Sequence, residues 1–557
     1  MNRDEIKTTL AQLTKSIASI TDPTVITTFK ILLNLVEALA EENLALKQEN
    51  QKLKDENNRL KGEQGKPNIK KSTGAGSGNS NHSSEADRKK RRKKKKPKDK
   101  MRKKQKIKID RQVTRQLDKN TLPDDVIFKG YEERIVQDLK INTDNIQFKL
   151  AVYYSPSLRK TFIANLPDGY SGEFGPGIRS LIITLYRDSG MTELAIKRFL
   201  HTFNIYIATS TISRMITEDH DLFHQEKEDI INAGLKATKY QHIDDTGARV
   251  NGKNQYAHIL CNPYFTAFFT RPHKDRLTIL EILCRNELKF TFNAQAYELM
   301  VELGLSDKRL VELKKIIKVG TISSNELDDI LIRMFTNPKK YRTNRRIIRE
   351  ATAIVYYQGS KYAIENLISD DAPQFNKITK RQALCWIHEG RHYKKLNPLV
   401  IAHQNSLDAF IEKYWDYYGL LLEYKQKPLK TIATKLSKEF DDLFSTVTGY
   451  DALDERIAIT LSKKDSLLLV LKLPFLPLHN NPAELGARAQ ARMRDINLQT
   501  ISANGTKTKD TFATIVQTAR KLGVNVYNYL YDRVSKTFEM PSLADLILRQ
   551  SIAPSAS

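Results

Sequence analysis

The stretch Thr238–Thr270, "TKYQHIDDTGARVNGKNQYAHILCNPYFTAFFT", decides the fold class. It contains three short runs rich in β-branched and aromatic residues, and Asn251-Gly252 between the first two is the dipeptide of a tight hairpin turn. Three consecutive strands open a sheet here. The first carries Asp244 and Asp245 at the end of an apolar-leaning run. The chain around them is basic, with 91 Lys+Arg against 65 Asp+Glu and a formal net charge of +26. A pair of carboxylates placed on a strand of such a chain needs a chemical reason.

The charge excess points to a polyanionic partner, of which nucleic acid is the commonest. Its largest concentration is "RKKRRKKKKPKDKMRKKQKIK" (Arg88–Lys108), with sixteen basic residues, Lys93 and Lys94 among them, and one acid. Such a tract suits non-specific phosphate contact with a strong salt dependence. The remainder of the chain is still basic. Cys261, Cys284 and Cys385 are few and far apart, which argues against a disulfide framework and fits a reducing, cytoplasmic setting. The N-terminus has no signal-peptide pattern, and the most apolar window, Ser466–Leu478, is short and broken by Lys472 and two prolines. No membrane-spanning helix and no membrane partner are expected.

A chain of 557 residues is too long for one typical domain. Leucine recurs at Leu32, Leu39, Leu46, Leu53 and Leu60, with Phe29, Val36, Asn43, Asn50 and Asn57 in the companion core positions. This predicts a parallel coiled coil within residues 1–61, making a homodimer or a higher oligomer, with the asparagines fixing register. Residues 62–120 read as a Gly/Ser/Asn-rich flexible linker running into the basic tract. The tract follows the zipper across a linker, so a basic-zipper transcription factor does not fit. Residues 121–174 read as a small β-rich module. Residues 175–225 give an apolar helix, a second helix capped by Thr192, and a short third helix from Thr209 or Ser210. That order predicts a helix-turn-helix with Ser210, Thr211 and Arg214 facing DNA. The catalytic region is expected at 236–540, with helical insertions at about 277–349 and 397–472, and a C-terminal tail at 541–557.

Three acids stand in three settings. Asp244 is in the first strand, Asp370-Asp371 ends a later strand-like run, and Glu484 lies in the first turn of a helix that Asn480 or Asn481 can cap and Pro482 can start. Phosphoryl transfer at a two-metal site needs a few carboxylates holding Mg2+ ions roughly 4 Å apart. Mg2+ takes hard oxygen ligands and retains several waters, so three carboxylates suffice. Between the last two acids, "ITKRQALCWIHEGRHYKKL" is expected to be a helix. There Cys385 and His388 have a metal-like spacing without a second pair, so no structural zinc is expected. Cys385 and Trp386 are expected to pack on the sheet while His388, Arg391 and His392 face DNA; the alternative for Trp386 is stacking on an unpaired base at a cleaved end.

At these residues the chain resembles the DDE transposases of bacterial insertion sequences, in the group typified by insertion sequence 66. The likeness lies in "IDDTGARVNGKNQYAHI", in "ISDDAPQF" followed by "ALCWIHEGRH", and in "HNNPAELGAR" followed by "NGTKTKDTFATIVQTARKLGVNVYNYLYD". The resemblance implies an α/β catalytic core with an RNase H-like mixed sheet and helical insertions. It implies Asp244, Asp370 and Glu484 as catalytic metal ligands for Mg2+, with Mn2+ able to substitute. Arg488, one turn beyond Glu484, matches a family arginine and suits a DNA phosphate. It further implies a bacterial, nucleoid-associated enzyme that acts on double-stranded DNA at element ends and target, with accessory proteins of the same element as further partners. The chain departs from the family pattern at His479, where aspartate is usual, at Leu485, where arginine is common, and in lacking a cysteine-rich segment ahead of the helix-turn-helix. The rival readings are a non-catalytic DNA-binding regulator derived from such an enzyme and a structure-specific nuclease.

Overall fold

The computed structural model describes residues 8–13, 22–60, 109–115, 117, 127, 130–139, 141–285 and 287–552. The linker and the basic tract, with Lys93 and Lys94, lie outside the described residues. Two compact units result. The smaller comprises Ser72–Leu166 and Arg198–Ile207. Among its described residues, the expected β-rich module shows one antiparallel hairpin of β1 (Val152–Ser155) and β2 (Lys160–Ile163). The larger unit holds the rest of the chain and is described next.

Its centre is a five-stranded mixed sheet in the order β5-β4-β3-β8-β9. Strands β3 (Tyr240–Val250), β4 (Lys253–Cys261) and β5 (Thr266–Arg271) form an antiparallel meander. The turn between β3 and β4 holds Asn251 and Gly252 at φ of 44° and 73°. Asparagine and glycine tolerate that left-handed pair at little cost, and this geometry matches the twist of the flanking strands. Strands β8 (Asn366–Ser369) and β9 (Arg381–Leu384) add in parallel on the other side of β3. The helix expected from Ile378 therefore begins later. Residues 381–384 complete the open edge of β8, and the Cys385 N–H still donates to Ser369 O at 3.0 Å.

One sheet face carries Ile243, Leu260 and Phe269 into the main core, built with α5 (Asp221–Ala237), α6 (Arg276–Leu283) and the helices of the first insertion. That insertion runs through α7 (Ala294–Glu302), α8 (Asp307–Ile316), α9 (Ser324–Met334) and α10 (Arg342–Gly359), with a small β6–β7 hairpin (Phe290–Phe292, Gly320–Ile322). After β9 come α11 (Trp386–Lys395) and the second insertion: α12 (Ile401–Gln426), α13 (Lys430–Phe444), α14 (Asp451–Ser462) and the short α15 (Lys464–Leu467) and α16 (Leu469–Lys472). These build a separate aromatic core around Trp386, Tyr414, Tyr417 and Phe440. Helix α17 (Asn481–Asn497) then packs on β3 and β4.

The free edge of β5 is covered by α18 (Ala503–Lys521). Asp510, Thr514 and Thr518 recur every four residues and so share one helix face. They accept from the backbone N–H groups of Thr270, Phe268 and Thr266 at 2.6, 3.2 and 3.2 Å. The edge donors are satisfied by side chains rather than left open to another strand. Two further helices close the unit, α19 (Val526–Val534) and α20 (Leu543–Ile552). The expected C-terminal tail is thus partly a docked helix. Leu543 and Ile547, four apart, are wholly buried, and α20 packs against α5.

The N-terminal helix α1 spans Pro23–Leu60. Leu33, Val36 and Ala40 pack on Leu399 and Val400. The Glu37 carboxylate accepts from the backbone N–H groups of Leu399 and Val400, each at 2.7 Å. Leu32, Leu39, Leu46 and Leu53 remain exposed. Pro23–Gln51 is by length and composition apolar enough to cross a bilayer, with a mean hydropathy of 1.4. Its Asn34 and Glu37 nevertheless bond within the chain.

Candidate active site

Asp244 and Asp370 meet through strand register. The parallel pairing sets His242 beside Ile368, so Asp244 and Asp370, each two residues farther on, reach the same end of neighbouring strands. Cross-strand partners share a sheet face. Asp244 pairs with Ile259, which places both on the face covered by α17. Burial, the charges of Asp370 and Glu484 and the adjacent Asp245 push the Asp244 carboxyl up to about 8. Burial also raises that of Asp370, reinforced by Asp371 and Asp245. Asp245 is differently employed: Gln374 donates to it at 2.8 Å and Lys274 lies 3.8 Å away.

Glu484 is brought in by a close helix–sheet contact. A Cβ on Gly486 would lie 2.8 Å from Ile259 Cγ2, so only glycine lets α17 approach β4 this closely. Pro482 sits in the first turn, as expected. Asn480 occupies the N-cap position, yet its side chain does not cap. It is fully buried; its Nδ2 donates to Ile243 O at 2.7 Å and its Oδ1 accepts from His242 Nδ1 at 3.0 Å. Burial pushes His242 down to about 3, so it acts as a neutral donor. The Asn480 backbone N–H meanwhile donates to Cys385 Sγ at 3.2 Å. Asn480 therefore joins three segments: the residue before Asp244, the turn before Glu484 and the start of α11. Sequence reading took it only for a cap.

Helix α11 presents His388 and Arg391 to Glu484. Arg391 Nη2 donates to Glu484 Oε2 at 2.8 Å, and Arg391 Nη1 donates to His388 Nε2 at 3.0 Å. Arginine has no acceptor, so His388 Nε2 must be the unprotonated nitrogen and the proton sits on Nδ1. That Nδ1 lies 3.6 Å from Glu484 Oε1. Burial lowers the His388 proton affinity, consistent with a neutral ring. The next face of α11 is bolted to the second insertion. Glu389 accepts from Thr460 Oγ1 at 2.6 Å and Lys463 Nζ at 3.1 Å, and pairs with Arg456. Lys463 also reaches Asp371 at 2.6 Å, and His392 lies 3.5 Å from the same carboxylate. These partners hold Asp371 well below the usual carboxylate range.

Trp386 does not stack on a base. It is fully buried, and its Nε1 donates to Leu467 O at 2.9 Å. Its ring anchors α11 in the aromatic core of the insertion. Among the described residues, two donor groups could hold a cation by proximity, Cys385–His388–Glu484 and Asp371–Glu389–His392. Burial pushes the Cys385 thiol up to about 12, which keeps it protonated and a poor zinc ligand. The second group already has Lys463 and Arg456 among its carboxylates. The carboxylates of Asp244, Asp370 and Glu484 are not among the groups whose ligand atoms all lie within 4.8 Å of one another, but their chemistry is that of a hard divalent cation's ligands. They are all oxygen donors, and the first two resist ionisation in the cation-free chain.

Of the remaining predicted DNA contacts, Arg488 is half-buried one turn beyond Glu484 on α17. The helix-turn-helix region forms α2 (Pro176–Arg187), α3 (Glu193–His201) and α4 (Thr209–Thr217). Ile212 and Ile216 of α4 are buried, while Ser210 and Arg214 are exposed. Helix α4 packs on α2 and α18.

No protein-family model matches the chain. Over 316 residues it is 29% identical to a protein of Sinorhizobium fredii described as "Uncharacterized protein y4jO"; the match spans 55% of this chain and 94% of the relative. That description assigns no activity.

Proposed function

We propose that the chain is a DNA transposase that cuts phosphodiesters at the ends of a mobile element and joins the freed ends to target DNA. The convergence of Asp244, Asp370 and Glu484, from two adjacent strand ends and one helix start, carries this reading. The strand order, with a three-strand meander followed by two parallel strands, supports an RNase H-like core. Asp244, Asp370 and Glu484 would hold Mg2+, or Mn2+ in its place, which when bound would supply activation of the attacking oxygen and stabilisation of the leaving one. The chain's residues do the rest. Asn480 and Gly486 keep Glu484 against β3 and β4. Arg391 and Arg488 offer guanidinium groups to the phosphate backbone. Water attacks the scissile phosphorus and the 3′ oxygen leaves as a free hydroxyl; in the second step that hydroxyl attacks a target phosphodiester, breaking its bond to the target's own 3′ oxygen, which leaves as a hydroxyl.

In this reading Ser210 and Arg214 on α4 contact the element ends. The basic tract around Lys93 and Lys94 holds flanking or target DNA. The leucines left exposed on α1 pair two protomers. The test is strand cleavage of duplex DNA carrying the ends of the element that encodes the chain, comparing Mg2+, EDTA and Asp370→Asn. Metal-dependent nicking at the ends, lost in the variant, is expected. Specific binding without cleavage would favour a non-catalytic regulator, and sequence-indifferent cleavage without joining would favour a nuclease.

A further inference from the structure

Arg391 holds one of the three acids in a way that opposes a cation there. Glu484 Oε2 accepts a charge-assisted hydrogen bond from the guanidinium at 2.8 Å, and His388 Nδ1 faces Oε1 at 3.6 Å. A divalent ion on Glu484 would sit against a fixed positive charge. The pair is not sealed in the interior: the Arg391 and Glu484 side chains keep 26% and 15% of their exposure. Two buried donors there, Arg391 Nε and His388 Nδ1, have no hydrogen-bond acceptor among the described residues. A guanidinium fork pairs with a phosphate as readily as with a carboxylate.

Helix α11 itself cannot carry the change. Trp386, the Glu389–Thr460–Lys463–Arg456 cluster and the contact of Gly390 with Trp415 all fasten it. Only the unbranched Arg391 side chain is left to turn.

We infer that Arg391 exchanges Glu484 for a phosphate oxygen of the DNA, so that phosphodiester binding releases the third carboxylate and cation binding follows it. This rests on the transposase reading and adds an order of events to it. The linkage is reciprocal: DNA raises cation affinity by the factor by which the cation raises DNA affinity. Without substrate the centre stays incompletely loaded, which limits stray hydrolysis.

The experiment measures Mn2+ binding to the full chain by the loss of the free-ion electron paramagnetic resonance signal, with and without a short blunt DNA duplex at low salt. Asp244→Asn serves as the baseline for ions bound elsewhere or to DNA. Without DNA, Arg391→Gln is expected to bind Mn2+ at least about tenfold more tightly than the unaltered chain, because the competing charge is gone. Arg391→Lys, which retains the charge, should stay weak. The duplex should raise affinity in the unaltered chain and leave Arg391→Gln nearly unchanged. Equal Mn2+ affinity of Arg391→Gln and the unaltered chain without DNA would overturn the exchange while leaving the carboxylate centre standing. Mn2+ binding that survives Asp244→Asn undiminished in every condition would overturn the centre itself, and the exchange with it.

Discussion

Asn480→Ala is the substitution that most sharply tests how the site is assembled. Asn480 is fully buried, and its side chain makes two hydrogen bonds, to Ile243 O at 2.7 Å and with His242 Nδ1 at 3.0 Å. Alanine removes both partners and leaves a backbone carbonyl and an imidazole N–H with nothing to bond. Each orphaned buried group costs about 1–3 kcal/mol, so with two of them the variant should lose about 2–6 kcal/mol of stability. His242 cannot relieve the strain by turning, since its Nε2 is already buried without a partner. The neighbouring Asn481→Ala should change stability by less than about 0.5 kcal/mol. Urea unfolding followed by tryptophan fluorescence is the assay, because both tryptophans, Trp386 and Trp415, lie in or beside the helices this asparagine helps to hold. A second readout is thermal stabilisation by Mg2+ with a short DNA duplex present, which should shrink as Glu484 drifts from Asp244. If Asn480→Ala unfolds at the same urea concentration as the unaltered chain and gains as much from Mg2+, the three-segment tie is not what assembles the site.

Further outcomes follow from the same contacts. Because the folded chain holds protons on Asp244 (about 8) and Asp370 more tightly than the unfolded chain does, the cation-free protein should lose stability as pH rises from about 4 through that value. Melting temperatures in EDTA between about pH 5 and pH 9 should show this slope, flattened by Asp244→Asn and offset most by Mg2+ at the alkaline end. Trp386→Phe should cost about 1–3 kcal/mol through loss of the bond to Leu467 O, yet leave duplex affinity and its salt dependence unchanged. Asp510→Ala removes the acceptor for the Thr270 N–H, and hydrogen exchange along β5 should accelerate by about tenfold or more.

What was legible in the sequence was what local chemistry dictates. Asn251-Gly252 announced the hairpin, and the strands on either side formed as their side chains required. The helix of Glu484 was announced by Pro482. Strand β9 was not legible, because "RQAL" is short, lacks alternation and runs directly into a helix; β8, found only in three dimensions, makes it a strand. The docking of α20 was missed because a short apolar stripe at a chain end reads equally well as a tail. The role of Asn480 had no local signal at all, since its partners His242 and Ile243 are more than two hundred residues away. The Arg391–Glu484 pair, 93 residues apart in the chain, likewise has no local signal. Trp386 packs inside, as its reading as a core residue expects, but against Tyr414, Tyr417 and Phe440 of the second insertion, which leaves no ring face for a base.

The central claim is that Asp244, Asp370 and Glu484 form one phosphoryl-transfer centre. The most direct measurement is joining of a labelled, pre-cut element end bearing a 3′-hydroxyl to a plasmid target in Mg2+. The unaltered chain is compared with Asp244→Asn, Asp370→Asn and Glu484→Gln under conditions where all four bind the end equally. Joined product from the unaltered chain alone, abolished by EDTA, is the predicted result. Joining that persists in any one of the three variants would contradict the assignment of that acid, and joining that persists in all three would contradict the site.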